Sequence, residues 1–552
     1  MSSNVTEAAG AKGAAAHGWN FADVFEAIAE RFPEAPAQIQ GGRRFSWAEF
    51  DRRADGIAAT LVAHGLSRRD KVAQYLYNCP EYLESMFGMF KIGAVPINTN
   101  YRYGIDEITY LWDNADIVGV VFGGTFTDRC EEMRTRRPKI RLWLWVDDGS
   151  GPCPEWAVPY EDATASATTR TIPPAGRSGD DLYMLYTGGT TGMPKGVMWR
   201  QDDLIVLNDA PSRNPFPDEA SRAALFERVT KPGYRTLPAA PLMHGTGALV
   251  SFAALVRGGC VVLLASRSFS PVELLDTVER DRVGSISIVG DAFAKPILRA
   301  LDAEPERWDI SSLRFVFSSG TMFSEETKQG LLRHQPRLSL VDMLGSSEAL
   351  GMGRSISNAD DAVATAKFHL GPSTRVIDEH GKDVVPGSGQ PGRLALGGRV
   401  PVGYYKDETK TASTFLTIDG RRYSVPGDWA VVEADGSLTL LGRGSVCINT
   451  GGEKVYPEEV EETLKTDPSV ADAVVVGVPD DRFGQAVVAL VQPQGDPASV
   501  DEQELIAHVK ARLAGYKVPK RILVVDTIGR SPTGKVDYPR LTALAKSRLG
   551  LA

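Results

Sequence analysis

The sequence is poor in several features that mark specialised classes of protein. Its five cysteines are scattered singly along 552 residues, without the spacing of a zinc site or a disulfide framework, which fits a reducing cytosol. No uninterrupted apolar run is long enough for a membrane-spanning helix, because Arg257, Gly258 and Gly259 interrupt the most apolar stretch, 248–265. That stretch predicts a helix followed by a buried strand.

Excess positive charge is also missing. The 61 Lys and Arg residues are outnumbered by 70 Asp and Glu residues, and the formal net charge of −9 argues against nucleic acid as a main partner. Residues 1–18 lack the basic flank and apolar segment of a signal peptide, so we expect a disordered tail. These absences predict a cytoplasmic protein with no transmembrane segment, and they leave transient contact with a membrane open.

What is present is the pattern of a large α/β protein. A chain of this length requires more than one core, and short apolar runs separated by helical patterns predict layered, mainly parallel sheets and helices. The predicted strands are 72–77, 117–122, 284–289, 313–317 and 338–343. Two stretches rich in polar residues and proline, 147–181 and 208–238, are predicted to be long loops.

The pattern changes after residue 442. Strand-like runs at 474–478, 486–491 and 522–525, with a helix predicted over 501–513, indicate a compact α+β unit. We therefore predict an N-terminal domain over residues 19–442 and a C-terminal domain over residues 443–552.

The most informative segment is the glycine- and threonine-rich run 186–197. Glycines allow close approach of backbone N–H groups to a ligand, threonines add hydroxyl donors, and Lys195 adds positive charge, so the run suits a polyphosphate. Pro194 precedes the lysine, and the order typical of a Walker loop is missing. The glycine spacing also differs from that of a nicotinamide-dinucleotide loop. A surface turn without a ligand is the alternative that this run alone leaves open.

Further motifs follow in a fixed order, and together they carry a resemblance. They lie at 241–247, 318–321, 342–348, 426–428 with 442–443, 451–457 and 530–535. In this order they resemble the adenylate-forming superfamily, which contains acyl-CoA synthetases, adenylation domains and luciferases. The resemblance extends from about Phe21 to the C-terminus. Segments 401–407 and 442–459 are especially similar to actinobacterial CoA ligases for fatty acids and steroid side chains.

The resemblance implies a set of nucleotide-binding residues. The β- and γ-phosphates of ATP would be held by the glycine-rich run, at Thr187, Gly188, Gly189, Thr190, Thr191, Gly192 and Lys195. The adenine and the neighbouring phosphate would be contacted by Ser319, Gly320, Thr321, Asp342, Leu344, Gly345, Ser346 and Ser347. The ribose and the passage into the C-terminal domain would be contacted by Asp428, Arg443, Gly451, Gly452 and Lys535.

The resemblance also implies roles for four catalytic residues. Ser347 would donate to the α-phosphate, and Glu348 would coordinate Mg²⁺, a hard cation that prefers oxygen ligands. His244 would position the carboxylate substrate, and Lys535 would stabilise the charge of the adenylation step. Three of them have a plainer alternative: a helix-dipole partner for Glu348, a structural hydrogen bond for His244, and a solvated lysine for Lys535. Asp428 could likewise be an ordinary turn aspartate.

Four positions depart from the family pattern. Leu344 stands where an aromatic residue usually stacks on adenine, and Pro426 stands where threonine is usual. Ser445 and Val446 occupy hinge positions that are commonly charged. These departures concern nucleotide contacts and domain rotation, and they remove no catalytic group.

The resemblance implies ATP, coenzyme A and Mg²⁺ as cofactors and a small C-terminal domain that is mobile. A carboxylic acid would react with ATP to give acyl-AMP, and coenzyme A would then release AMP. The acid would be a fatty acid or a steroid side-chain acid. Alternatives are an acyl-AMP ligase that loads a separate carrier protein, a luciferase-like oxygenase, and a nucleotide-binding regulatory protein without catalysis.

Overall fold

The computed structural model describes residues 18–551, except for 168, 174–175, 188–193, 211, 213, 322, 361–364, 444–445, 447, 451–452, 481–483, 514 and 531–535. The helices in the described residues are α1 (Phe21–Arg31), α2 (Trp47–Ala63), α3 (Pro80–Lys91), α4 (Ile105–Asn114), α5 (Thr127–Arg136), α6 (Tyr160–Thr164), α7 (Gln201–Asp209), α8 (Arg222–Arg228), α9 (Gly245–Leu255), α10 (Pro271–Arg280), α11 (Asp291–Ala303), α12 (Glu325–His334), α13 (Glu408–Thr414), α14 (Pro457–Lys465), α15 (Glu502–Lys510) and α16 (Tyr538–Arg548).

The strands of the same residues are β1 (Pro36–Gln40), β2 (Arg43–Ser46), β3 (Lys71–Tyr75), β4 (Val95–Asn98), β5 (Ile117–Gly123), β6 (Leu142–Val146), β7 (Val158–Pro159), β8 (Leu182–Thr187), β9 (Lys195–Arg200), β10 (Arg235–Pro238), β11 (Cys260–Leu263), β12 (Ser285–Ile288), β13 (Phe315–Ser319), β14 (Ser339–Ser346), β15 (Ala349–Ser357), β16 (Lys367–Leu370), β17 (Thr374–Ile377), β18 (Pro391–Gly397), β19 (Gly403–Tyr404), β20 (Phe415–Ile418), β21 (Arg421–Ser424), β22 (Asp428–Val432), β23 (Ser437–Arg443), β24 (Ile448–Thr450), β25 (Glu453–Val455), β26 (Val470–Asp480), β27 (Gly484–Pro493) and β28 (Arg521–Val524).

The chain divides into two compact units that are interleaved in sequence. Unit 1 contains the described residues up to Met184 together with Met198–Tyr234 and Ser251–Val261. Unit 2 contains Leu185–Val197, Arg235–Val250 and the described residues from Val262 onward. The predicted domain boundary between residues 442 and 443 stays a prediction.

Unit 1 is built on a parallel sheet. Strands β4, β3, β5, β6 and β7 pair in that order, and the apolar side chains of β3, β4 and β6 and most of those of β5 are buried. The helices contribute aromatic residues such as Phe25, which lies 5.2 Å from Phe87 between ring centroids. Ser46 caps the N-terminus of α2: its hydroxyl accepts from the Glu49 N–H while the Glu49 carboxylate accepts from the Ser46 N–H. This reciprocal capping box satisfies donors that the first turn leaves open.

A buried charge network lies beneath α1, α2 and α3. The Lys91 ammonium, whose side chain is fully buried, lies 2.7 Å from Glu26, 2.6 Å from Asp51 and 2.8 Å from Asp55. Arg177 donates to Glu26 at 2.8 Å. The cations therefore supply the positive charge that these desolvated carboxylates require.

Unit 2 begins as a parallel sheet and continues as an antiparallel one. Strands β10, β12, β13 and β14 are parallel, with Ile288 opposite Ser318 and Ser318 opposite Asp342. Beyond β14, the neighbouring strands in the sheet are β15, β16, β23, β22 and β18, in that spatial order, and all of these pairs are antiparallel. Strands β17 and β21 also pair with β18. The α/β fold class is confirmed, and the long antiparallel continuation is a feature that the expected mainly parallel sheets did not include.

The C-terminal part of unit 2 has a sheet with a core on each face. Long antiparallel strands β26 and β27 form its centre, and β28 joins β27 in parallel. One face packs with α14 and α15, for example through Val460 and Leu505, and the other packs with α16 through Leu541. This is the predicted α+β arrangement.

The predicted elements differ from the structure in two loops and in the bounds of several strands. Segment 147–181 contains β7 and α6, and segment 208–238 contains α8 and β10. Ser221 caps α8 by accepting from the Ala224 N–H at 3.1 Å, a local signal that the polar composition obscured. Strand β13 begins at Phe315, two residues later than predicted. Across the described residues, no helix is both long and apolar enough to cross a membrane.

Candidate active site

The carboxyl ends of the parallel strands of unit 2 collect most of the described candidate residues. Chain segments that leave parallel strands at one end emerge at the same edge of the sheet. His244 follows β10, Ser319 ends β13, and Ser346 ends β14. The topology therefore brings to one edge residues that are separated by about a hundred positions in sequence.

His244 lies in the turn that leads into α9. Its N–H donates to the Pro241 carbonyl at 3.0 Å, and its carbonyl accepts from the Ala248 N–H at 3.0 Å. In the first turn of α9, a Cβ at residue 247 would lie 2.4 Å from the Pro241 oxygen, so the close approach of the helix to this turn requires glycine. The Ser347 hydroxyl lies 3.8 Å from the position that a Cβ of residue 245 would take. The predicted catalytic residues His244 and Ser347 are thus in neighbouring segments.

The predicted adenine segment lies between β13 and α12. Gly320 has φ +93°, a left-handed conformation that favours glycine, and it is exposed beside half-buried Ser319 and Thr321. Below this turn, the Ser318 hydroxyl accepts from the Gly290 N–H at 3.2 Å. The ends of β12 and β13 are therefore tied together where the segment begins.

Asp342 forms a buried ion pair at the same end of the sheet. Its carboxylate lies 3.7 Å from the ammonium of Lys328 on α12, and the side chains are 6% and 1% exposed, respectively. Burial raises the pKa of Asp342 to about 6, although Lys328 opposes the shift, and burial lowers the pKa of Lys328. Leu344, two residues further on, is buried in an apolar cluster with Ala349 and Phe368.

Glu348 lies in the connection between β14 and β15. Ser346 and Ala349 are opposite each other in this antiparallel pair, and a Cβ on Gly345 would lie 2.9 Å from the Ala349 carbonyl oxygen. The Glu348 N–H donates to the Ser346 hydroxyl at 3.3 Å. The Tyr404 hydroxyl, from β19, donates to Glu348 Oε1 at 2.8 Å. The carboxylate is therefore held from a second element.

Lys195 begins β9, eight residues after Thr187 ends β8. Its ammonium forms a short ion pair with Asp407. The Asp407 carboxylate also accepts from the Lys410 N–H at 2.9 Å, which caps α13. The hydrogen bond from Lys195, reinforced by that from Lys410, lowers the pKa of Asp407. Tyr405 joins the two segments by donating its N–H to the Gly196 carbonyl at 2.8 Å.

The two predicted ribose ligands lie on adjacent strands. Asp428 begins β22, Arg443 ends β23, and the two residues are opposite each other in this antiparallel pair. Asp428 is buried, with 8% of its surface exposed. The register therefore places both residues at one end of the β22–β23 ladder.

Several candidate residues lie outside the described residues. They are Gly188, Gly189, Thr190, Thr191, Gly192, Gly451, Gly452 and Lys535, as well as hinge residue Ser445. Their roles, like those of the described candidates, stay predictions.

Sequence reasoning assigned no role to Lys328, Tyr404 or Asp407. Tyr404 and Asp407 lie in segment 401–407, which carried the family resemblance, and this membership was the available signal. For Lys328 the available signal was its place in a helix directly after the 318–321 motif.

Comparisons with known families identify the family of this chain. A family described as AMP-binding enzyme matches residues 25–405, and one described as AMP-binding enzyme C-terminal domain matches residues 459–535. The chain belongs to the AMP-binding enzyme family, which confirms the predicted resemblance.

Individual relatives cover nearly the whole chain. A medium/long-chain-fatty-acid–CoA/3-oxocholest-4-en-26-oate–CoA ligase from Mycolicibacterium smegmatis is 41% identical over 536 residues, covering 94% of this chain and 95% of that protein. A 3-oxocholest-4-en-26-oate–CoA ligase from Rhodococcus rhodochrous is 40% identical, covering 96% of each chain. The crystal structure of an anthranilate CoA ligase with anthranoyl-AMP is 20% identical, with a TM-score of 0.82 over 97% of this chain and 99% of that one, and shares the fold.

Proposed function

We propose that this protein is an AMP-forming acid–CoA ligase that acts on medium- or long-chain fatty acids or on steroid side-chain acids. One observation carries the proposal: the sheet edge of unit 2 joins His244, Ser347 and Glu348 in neighbouring segments of a chain about 40% identical to such ligases. The named relatives supply the choice of acid class.

In the proposed reaction, an oxygen of the substrate carboxylate attacks the α-phosphorus of ATP. A P–O bond forms, the bond to pyrophosphate breaks, and acyl-AMP results. The thiol of coenzyme A then attacks the acyl carbon, loses its proton, and displaces AMP. Neither step requires a nucleophile from the protein, so the residues need only align the reactants and stabilise negative charge.

The described residues suit these two tasks, alignment of the reactants and stabilisation of negative charge. Lys195 offers a cation to the β- and γ-phosphates, and the Ser347 hydroxyl offers a donor to the α-phosphate. His244 lies beside the Ser347 segment and would orient the carboxylate. The carboxylate of Asp428 suits the hydroxyls of a ribose.

Glu348 fits a magnesium ligand. Its carboxylate is half-buried and offers hard oxygen atoms, and Tyr404 orients it through Oε1. Mg²⁺ in nucleotide sites is commonly held by one or two carboxylates together with substrate phosphates. When bound, the ion would neutralise phosphate charge. Tyr404 and Ser346 would orient Glu348 toward the ion.

The test is a panel of acids from short through long chains to steroid side-chain acids, each assayed with ATP, Mg²⁺ and coenzyme A. We expect acyl-CoA and AMP in equal amounts, with fatty or steroid acids preferred. Formation of acyl-AMP that coenzyme A does not consume would instead indicate loading of a separate carrier. Absence of pyrophosphate release with every acid would contradict the proposal.

A further inference from the structure

The ion pair between Lys195 and Asp407 raises a question of charge. Lys195 belongs to the run proposed to hold the phosphates of ATP, yet its ammonium is in direct contact with a carboxylate. The ammonium carries a single positive charge, which Asp407 already partly neutralises, so Asp407 and a polyphosphate compete for that charge.

The structure shows that this contact is built by the fold. The two residues are 212 positions apart, and the backbone bond from Tyr405 to Gly196 fixes their segments side by side. Asp407 is itself held in place, because its second oxygen caps α13. A long surface lysine meeting a carboxylate by chance would have neither support.

The strength of the contact suits exchange. The side chains of Lys195 and Asp407 are 35% and 28% exposed, so water screens the pair on both sides. Half-exposed pairs of this kind contribute little net stability, and a polyphosphate carries more charge than one carboxylate. A bound triphosphate can therefore outcompete Asp407 for the ammonium.

We propose that Asp407 is the exchange partner of Lys195: it holds the ammonium until a nucleotide binds and then yields it to the phosphates. Asp407 is a positioning residue, since it acts through Lys195. This inference rests on the proposed function and adds to it a residue that sets the affinity for the polyphosphate.

The test is calorimetric titration of the full-length protein with pyrophosphate. The main variant is Asp407→Asn, because asparagine still caps a helix well and the substitution removes only the charge. We expect Asp407→Asn to bind pyrophosphate about two- to five-fold more tightly than wild type, the range that a half-exposed pair allows.

Two controls make the result specific. Glu408→Gln removes one negative charge from the next residue, which is exposed in the first turn of the same helix, and should leave the affinity within about 1.5-fold. The gain from Asp407→Asn should also vanish in a Lys195→Gln background, because the effect passes through the ammonium. Thermal melts of each variant check that the fold is kept.

Weaker or unchanged binding by Asp407→Asn would overturn the inference, as would an equal gain from Glu408→Gln or a gain that persists without Lys195. Absence of pyrophosphate binding by all these proteins would overturn it as well. The proposed function is tested separately, by the panel of acids. The pyrophosphate titrations measure the coupling between residues 195 and 407 whether or not the protein makes acyl-CoA.

Discussion

At the scale of single residues, the site depends on side chains that orient other side chains. Tyr404 contacts Glu348, Asp407 contacts Lys195, and Lys328 contacts Asp342. In each pair, one member was a candidate from sequence and the other was not. Tyr404 lies on β19 and Asp407 caps α13, so their two pairs join elements that are distant in the chain, whereas Lys328 and Asp342 lie on the consecutive elements α12 and β14.

The Tyr404–Glu348 contact leads to a prediction about magnesium. Tyr404→Phe removes a hydrogen bond to a carboxylate, so we expect the Mg²⁺ concentration for half-maximal pyrophosphate release to rise by up to about 10-fold. Rates measured across a Mg²⁺ titration check this. In a Glu348→Gln background, which should itself be far slower, the additional Tyr404→Phe change should have little effect. An equal loss in both backgrounds would mean that Tyr404 acts elsewhere.

The Lys328–Asp342 pair leads to a prediction about pH. The pKa of Asp342 is about 6 in the folded protein, above the value near 3.9 of an unfolded aspartate. Its burial therefore lowers the free energy of unfolding as the pH rises through 6, and this cost is absent below about pH 4. Lys328 offsets the cost, because its ammonium opposes the pKa shift.

We therefore expect Lys328→Met to destabilise unit 2 by on the order of 3 kcal/mol at pH 8 and by clearly less at pH 5, where Asp342 is more easily protonated. Urea unfolding at the two pH values measures the difference. The double variant Lys328→Met/Asp342→Asn should recover much of the loss at pH 8. A loss that is the same at both pH values would show that Lys328 contributes through packing alone.

At the scale of elements, local sequence signals predicted what local interactions build. Ser46 caps α2, and β12 lies within the predicted run 284–289, because caps and short apolar runs are signalled by neighbouring residues. The antiparallel strands from β15 to β23 were not predicted from the sequence. In β15, Gly351 and Gly353 interrupt the alternation of apolar and polar side chains on which strand prediction depends.

The features of the site also differ in whether they can be predicted from local sequence. The motifs that contain His244, Ser347 and Glu348 could be found from the sequence. The contacts of Glu348 with Tyr404 and of Lys195 with Asp407 could not, because they join residues 56 and 212 positions apart through the pairing of distant strands. No periodicity or composition reports such a pairing.

The capping box of α2 allows a direct test at this scale. Ser46→Ala removes the acceptor for the Glu49 N–H, and we expect it to lower the free energy of unfolding by about 1 kcal/mol. Chemical unfolding followed through the helical signal measures this. Glu49→Gln, which keeps an acceptor for the Ser46 N–H, should cost much less. Comparable losses would indicate that the charge of Glu49, not the reciprocal bonds, stabilises the first turn.

At the scale of the whole molecule, the proposed reaction assigns different tasks to its two steps. Lys535 should neutralise charge as acyl-AMP forms and should have no part in thioester formation. Lys535→Ala is therefore expected to slow acyl-AMP formation by about 100-fold or more. Supplied with synthetic acyl-AMP and coenzyme A, the same variant should form acyl-CoA at a rate near that of wild type. Equal losses in both assays would contradict this division.

The interleaving of the two units has a consequence for how the protein is made. Unit 1 includes Ser251–Val261, so its last segment leaves the ribosome only after Leu185–Val197 and Arg235–Val250, which belong to unit 2, have already emerged. Strand β10, in the second of these early segments, pairs with β12, which is translated only later. No single cut in the chain separates the two units, so co-expressed halves should be poorly soluble wherever the chain is divided between residues 185 and 261. A chaperone that shields exposed strands during synthesis would therefore raise the yield of the intact chain.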